Sequence, residues 1–222
     1  MRHMGVRLIP GVRTGSGVLA AGLLSLALLG TGRAVGADLE IYFVDVMGGA
    51  ATLIVTPARE TILVDSGWPG QKDRDPERIM SALKDAGCDR IDHLVTTHWH
   101  MDHFGGVAGL AKRVSIDRFW DRGLPEDEAA GGDFPDGPKS GDPLGVAYRE
   151  ASKGRRTVLK AGDALPLRGA TKADVLAASG KVVAAPAGAP RNPACDSAEA
   201  DHPVDKSDNA RSVVLWFRQW AF

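Results

Sequence analysis

Hydrophobic and polar positions change their period several times along this chain, and each change predicts an element. Leu39 to Val46 alternates like a half-buried strand, Gly48-Gly49 turns the chain, and Ala51 to Val55 predicts a second strand. Pro57 to Arg59 turns it again, and Thr61 to Val64 predicts a third strand leading into Asp65-Ser66-Gly67. The period then lengthens. Pro76 suits the first turn of a helix running to about Ala86, with Ile79, Met80, Leu83 and Ala86 as its apolar stripe and Gly87 as its stop. Ile91 to Thr96 predicts a short apolar strand. Phe104 to Arg113 predicts a helix with Val107, Leu110 and Ala111 inward, and Val114 to Trp120 a further strand. Strands and helices in this order predict an α/β fold with helices packed on a sheet.

Beyond Asp121 the pattern loosens. Gly123 to Pro143 is rich in Gly, Pro and Asp and predicts a long loop. Leu144 to Lys153 predicts a short helix. Thr157 to Leu159, Ala164 to Leu167 and Ala173 to Leu176 predict strands, residues 184–210 a second loop, and Arg211 to Phe217 a last strand. No internal repeat is present.

The first 37 residues carry a different signal. Arg2, Arg7 and Arg13 precede an apolar run from Val18 to Leu29, and small residues follow up to Ala37. That order is a secretory signal peptide. Its twelve apolar residues fall short of the ~20 that cross a bilayer. The expectation is cleavage before Asp38, an exported protein in the periplasm or outside the cell, and no stable membrane span. One domain would remain, residues 38–222, long enough to bury a core. It holds 23 basic and 28 acidic residues. A mildly acidic chain leaves nucleic acid open as a partner without favouring it, since phosphate-tracking proteins usually carry a basic footprint. Lys153, Arg155 and Arg156 read as a solvated charged turn. Cys88 and Cys195 allow one pairing in an oxidising compartment, but nothing in their spacing brings them together.

Chemistry concentrates in Thr97-His98-Trp99-His100-Met101-Asp102-His103-Phe104-Gly105-Gly106. In extended backbone, positions i and i+2 point the same way, so His98 and His100 are placed to grip one metal ion. A turn after Met101 would bring Asp102 and His103 toward a second ion. The set holds histidine and carboxylate but no cysteine. Structural zinc sites usually use cysteine and close all four positions, so the composition favours a catalytic site.

With those residues in view, the sequence resembles the metallo-β-lactamase superfamily. Asp65 in Leu63-Val64-Asp65-Ser66-Gly67 is similar to the family's early Asp. Tyr42 to Ala51 and Asp208 to Leu215 resemble segments of a branch that includes the hydrolase-like domain of ComEC, the competence DNA-uptake channel. The resemblance is dense over residues 39–120 and thin over 121–207. It implies an αββα sandwich and two divalent metal ions, with zinc the default and manganese or iron also suited to the ligands. His98 and His100 would hold the first ion, and Asp102 and His103 the second. Asp102 would also act in catalysis by orienting the attacking water, and Asp65 would brace the loop. The implied reaction is attack of metal-bound hydroxide on a small-molecule ester or phosphodiester-type substrate.

The chain departs from the family after the predicted 211–217 strand, where a Gly-Asp turn and a later His have no counterpart. His202 matches no family motif, and Asn209 is a poor substitute for a bridging carboxylate. The sequence therefore reads as a member truncated on its C-terminal side, with the second half of the sandwich incomplete. Two alternatives to a hydrolase follow. One is a catalytically incompetent metal-binding fragment. The other is an interaction module that self-associates through the apolar 211–217 strand.

Overall fold

The computed structural model describes residues 38–125, 127, 136–139, 141–190, 193 and 205–219. The expected signal peptide (residues 1–37), Cys195 and His202 lie outside them. Three short strands, β1 (Glu40–Phe43), β2 (Thr52–Val55) and β3 (Thr61–Val64), form an antiparallel meander. From β3 the sheet turns parallel through β4 (Arg90–Val95), β5 (Ser115–Asp121) and β6 (Arg156–Val158), giving six strands in sequence order. Helix α1 (Arg74–Asp85) links β3 to β4. Two single turns, α2 (Met101–Phe104) and α3 (Val107–Leu110), link β4 to β5, and α4 (Pro143–Ser152) links β5 to β6. A second, wholly antiparallel sheet follows: β7 (Ala164–Leu165), β8 (Lys172–Ala178), β9 (Lys181–Val182) and β10 (Val214–Arg218). Its order is β10-β8-β7, with β9 also paired to β8.

The layers explain the runs Thr52-Leu53-Ile54-Val55 and Thr61-Ile62-Leu63-Val64. Both faces of the six-stranded sheet are covered, so its inner strands are continuously apolar. Leu53, Val55, Leu63 and Leu94 face the helices, where they meet Ile79, Leu83, Leu110 and Tyr148. Ile54, Ile62, Val95 and Trp120 face the second sheet and meet Leu159, Leu165, Val175 and Val213. Helices, sheet and sheet make an α/β molecule, the fold class expected from the sequence. No helix covers the outer face of the second sheet among the described residues. Trp216 and Val214 are exposed there, and the Arg218 guanidinium lies 4.8 Å from the Trp216 ring centre. No helix among the described residues is long and apolar enough to cross a membrane.

Three expectations change. The helix predicted over 104–113 is broken at Gly105-Gly106, because the Gly106 amide leaves the helical ladder and donates to the Gly67 carbonyl at 3.1 Å. The last strand begins at Val214, since Asp208–Arg211 forms a 3₁₀ turn whose Asn209 amide donates to the Ser207 hydroxyl. This strand pairs with β8 along one side and forms the sheet's edge. Finally, two members of the basic trio are structural. Arg156 bridges Asp121 and Asp127 at 2.6 Å, and Arg155 lies over Phe119 and donates to backbone carbonyls. Lys153 and Arg155 remain exposed, as the solvated turn predicted, and Lys153 pairs with Glu150 at 3.6 Å. Cys88 is half-buried, makes no disulfide among the described residues, and lies 3.1 Å from the Arg59 guanidinium.

Midway along β4, His93 is buried between Glu60, just ahead of β3, and Trp120 of β5. The Trp120 indole N–H, which can only donate, points at His93 Nδ1 at 3.0 Å. That leaves Nε2 to carry the proton toward Glu60 Oε1 at 3.1 Å, a neutral ring with both nitrogens used. Burial lowers the His93 pKa, against the opposing pull of Glu60. A depressed histidine pKa means that the unfolded chain binds the extra proton first, so stability falls as pH drops below about 6.5. Denaturant unfolding between pH 7.5 and 5 is expected to show this acid limb, and His93→Gln is expected to flatten it. An unchanged slope in the variant would assign the limb to other groups.

Candidate metal centre

The C-terminal ends of parallel strands are where open α/β sheets place their ligands, and the motif begins where β4 ends. Three backbone segments seat it. Ala50 N–H donates to the Asp102 carbonyl at 3.1 Å, Ser66 N–H to the His103 carbonyl at 2.6 Å, and Gly106 N–H to the Gly67 carbonyl. Two glycines permit this approach. A Cβ on Gly49 would stand 2.3 Å from the Asp102 carbonyl oxygen, and one on Gly106 would stand 2.1 Å from that of Ser66. Gly48-Gly49 is thus part of the seat as well as a turn.

Asp65 closes the arrangement. Its backbone is left-handed (φ 61°), and its N–H continues the β3–β4 pairing by donating to the Val95 carbonyl. Its buried carboxylate accepts the Thr97 amide, the Thr97 hydroxyl and His103 Nδ1, each at 2.8 Å.

These contacts fix which imidazole nitrogens carry protons. The Thr97 hydroxyl spends its hydrogen on Asp65, so at 3.0 Å it must accept from His98 Nδ1. His100 Nε2 faces Asp136 Oδ2 at 3.0 Å, and a carboxylate only accepts. The inner nitrogens, His98 Nε2 and His100 Nδ1, are then both lone pairs, 3.1 Å apart. Two lone pairs at that distance repel unless a proton or a cation lies between them. Two nitrogens each 2.0–2.1 Å from one tetrahedral zinc stand roughly 3.3 Å apart, so the spacing suits a shared ion. His103 Nδ1 is likewise committed to Asp65, leaving Nε2 turned toward Asp102 Oδ2 at 3.8 Å. An imidazole nitrogen and a carboxylate oxygen are both ordinary ligands for a divalent ion, so this pair would suit a second one. Among the described residues, no group of three or more His, Cys, Asp or Glu side chains is arranged to hold an ion by itself. The site is built as two pairs.

Electrostatics differ between the pairs. Burial, and then the neighbouring His103, push the His98 pKa down to about 4, which keeps its lone pair available at neutral pH. For His103, burial works against the charged ring, but the Asp65 bond and the Asp65 and Asp102 charges outweigh it and raise the pKa. Cation binding at Nε2 therefore competes with a proton.

Sequence reasoning missed the second side of this loop. Asp136, inside the predicted Gly/Pro-rich loop, binds His100. Asp208, at the head of the segment that resembles the ComEC branch, is fully buried and accepts the Trp99 amide at 2.6 Å. Asn209, weighed as a ligand from sequence, is exposed. Asp136 carried no signal beyond its residue type, whereas Asp208 lay in a segment already singled out.

Comparison with known proteins adds the family. The family model described as the metallo-beta-lactamase superfamily matches residues 44–174, over half of the chain. Over 64 residues, 29% of this chain, the sequence is 41% identical to an atrochrysone carboxyl ACP thioesterase of Pseudocercospora fijiensis. It is 38% identical, over the same length, to one of Aspergillus terreus. The matched stretch spans 18% and 19% of those two proteins, under a fifth of their length. Among solved structures, the chain is similar to MEM-A1, a subclass B3 metallo-beta-lactamase from a soil metagenome library. Identity there is 17% and the TM-score 0.41, over 63% of this chain and 50% of that one. It is also similar to the metallo-beta-lactamase fold protein YhfI of Bacillus subtilis, with 10% identity and a TM-score of 0.41, over 63% and 53%.

Two substitutions test the seat. Asp65→Ala removes the acceptor for Thr97 and His103 and is expected to weaken zinc retention about 10- to 100-fold, read by equilibrium dialysis. Gly106→Ala drives a Cβ into the Ser66 carbonyl and is expected to destabilise the metal-free protein by about 1–3 kcal/mol, read by denaturant unfolding. Wild-type behaviour in either variant would mean that the loop is seated by other contacts.

Proposed function

The chain belongs to the metallo-β-lactamase superfamily, and from that premise we propose that it is a metal-dependent hydrolase with its centre at His98, His100, Asp102 and His103. The observation that carries this reading is the facing pair of imidazole lone pairs, held 3.1 Å apart by protons committed elsewhere. Divalent ions bound there would supply Lewis acidity, bringing the pKa of water to about 7 and neutralising charge that develops on a polarised oxygen. Zinc is the first candidate, with manganese and iron also suited to a histidine–carboxylate set.

The protein's own groups do the positioning. His98 and His100 would hold the first ion through their inner nitrogens, and the Asp102 carboxylate and His103 Nε2 would hold the second. Asp102, partly exposed, would accept a hydrogen bond from the attacking water and so orient it. Asp65 holds the His103 ring and keeps its proton on Nδ1.

For the substrate we propose a small carboxylic ester or thioester. Two matched relatives are named as thioesterases, and the mildly acidic chain offers little to a polyphosphate ligand. A phosphodiester is the second reading, favoured by the ComEC-like segments at 42–51 and 208–215. The leading 37 residues support export.

Metal analysis of purified protein is expected to give about two equivalents per chain. His100→Ala is expected to lose at least the first, and hydrolysis of a chromogenic ester is expected to fall at least about a hundredfold in this variant. Metal near zero in both proteins would overturn the reading. Two equivalents without turnover of ester, thioester or phosphodiester would make the chain a metal-binding protein without hydrolase activity.

A further inference from the structure

We propose that Asp208, held by Arg122, is a positioning residue for the His98–His100 pair, acting through the backbone amide between them. The inference rests on the metal reading given above and extends it to the second half of the chain. Asp208 and Arg122 are both fully buried and form an ion pair through Asp208 Oδ1 and Arg122 Nη2. The other carboxylate oxygen, Oδ2, accepts the Trp99 N–H at 2.6 Å. Trp99 stands between the two candidate ligands, and its indole is pinned separately by a 2.6 Å bond to the Gly123 carbonyl. Fixing that amide fixes the His98–Trp99 peptide plane, from which the His98 side chain projects and which leads one residue on into His100.

Neighbouring contacts tighten the same three residues. Asp208 N–H donates to Asp136 Oδ1 at 2.7 Å, and the other oxygen of Asp136 accepts a hydrogen bond from His100 Nε2. Val213 N–H donates to the Thr97 carbonyl at 2.8 Å. Arg122 is anchored in turn, because its carbonyl accepts the Ser179 hydroxyl at the β8–β9 turn. A buried charged pair is seldom the most stabilising way to fill a core. This one is aimed at a single loop amide beside two ligand candidates, a placement that suits positioning. Asp65 grips the loop at Thr97 and His103 from the first half, and Asp208 grips it at Trp99 from the second.

The test uses the full chain, zinc binding by equilibrium dialysis and the visible spectrum of the cobalt(II) form. Asp208→Ala combined with Arg122→Met removes both buried charges together. It is expected to weaken one zinc equivalent about 10- to 100-fold while the other stays at wild-type affinity, with a changed cobalt spectrum. Asp208→Asn combined with Arg122→Gln keeps an acceptor for the Trp99 amide, and its zinc affinity is expected to stay within about threefold of wild type. If the first variant does not fold, Asp208→Glu keeps the charge pair but displaces the acceptor, and should show the same weakening of one equivalent. Wild-type affinity for both equivalents in the folded Ala/Met variant, or in Asp208→Glu, overturns the proposal. So does equal loss in the Asn/Gln variant. Wild-type protein that takes up no zinc overturns the metal reading and this inference together, whereas zinc-loaded wild type with unaffected variants overturns this inference alone.

Discussion

A single buried carboxylate holds the candidate centre in register with the sheet. Asp65 follows β3 directly, and its left-handed backbone turns the chain away from the strand while its N–H still pairs with β4. A residue there must tolerate positive φ, which Asp does better than most. It must also offer two acceptor oxygens to a buried loop. Three donors converge on it, one amide, one hydroxyl and one imidazole. With Asp65 satisfied in this way, the Thr97 hydroxyl becomes an acceptor for His98, and the proton pattern of the whole loop follows. The inner lone pairs of His98 and His100 are thus set by a residue more than thirty positions earlier in the chain.

This arrangement depends on a rigid platform. The six-stranded sheet is covered on both faces, so β2 and β3 are apolar apart from their leading threonines, β4 ends on Leu94-Val95 and β5 carries Phe119-Trp120, and their C-terminal ends present loops at fixed spacing. Charged groups gather in two places along these strands. At the C-terminal ends stand the histidines and carboxylates of the loop. In the other place, Glu60 just ahead of β3 and Asp92 and His93 within β4 are buried but hydrogen-bonded. The chemistry of the two places differs because of the hydrogen bonds made. His93 uses both ring nitrogens within the protein, with Trp120 as donor and Glu60 as acceptor. His98 and His100 each keep one nitrogen uncommitted, facing the other.

The second sheet does more than complete the core. Through Asp208 and Val213 it reaches the loop from the side opposite Asp65, so residues 97–100 are clamped between two halves of the molecule. Arg122, at the end of β5, joins the first sheet to this clamp. The outer face of the second sheet, carrying Trp216 and Val214, is exposed among the described residues, and the edge strand β10 pairs on one side only.

The sequence by itself determined the element order, the α/β class and the location of the chemistry. Those features are local: period, turn residues, and four potential ligands packed into six positions after a strand. Asp65 was legible through the family resemblance, as the Asp at the end of a strand upstream of the metal loop. The break at Gly105-Gly106 in the helix expected there was not legible, because the carbonyl that captures the Gly106 amide belongs to Gly67, far away in sequence. Arg156 read as a solvated charge for a similar reason, its partners Asp121 and Asp127 being some thirty residues distant. Only the tertiary structure decided which nitrogens face inward, that Asp136 and Asp208 reach the loop, and that Arg122 is buried behind them. Hydrogen-bond direction and burial depend on what the rest of the chain brings alongside, and no periodicity in the sequence records it.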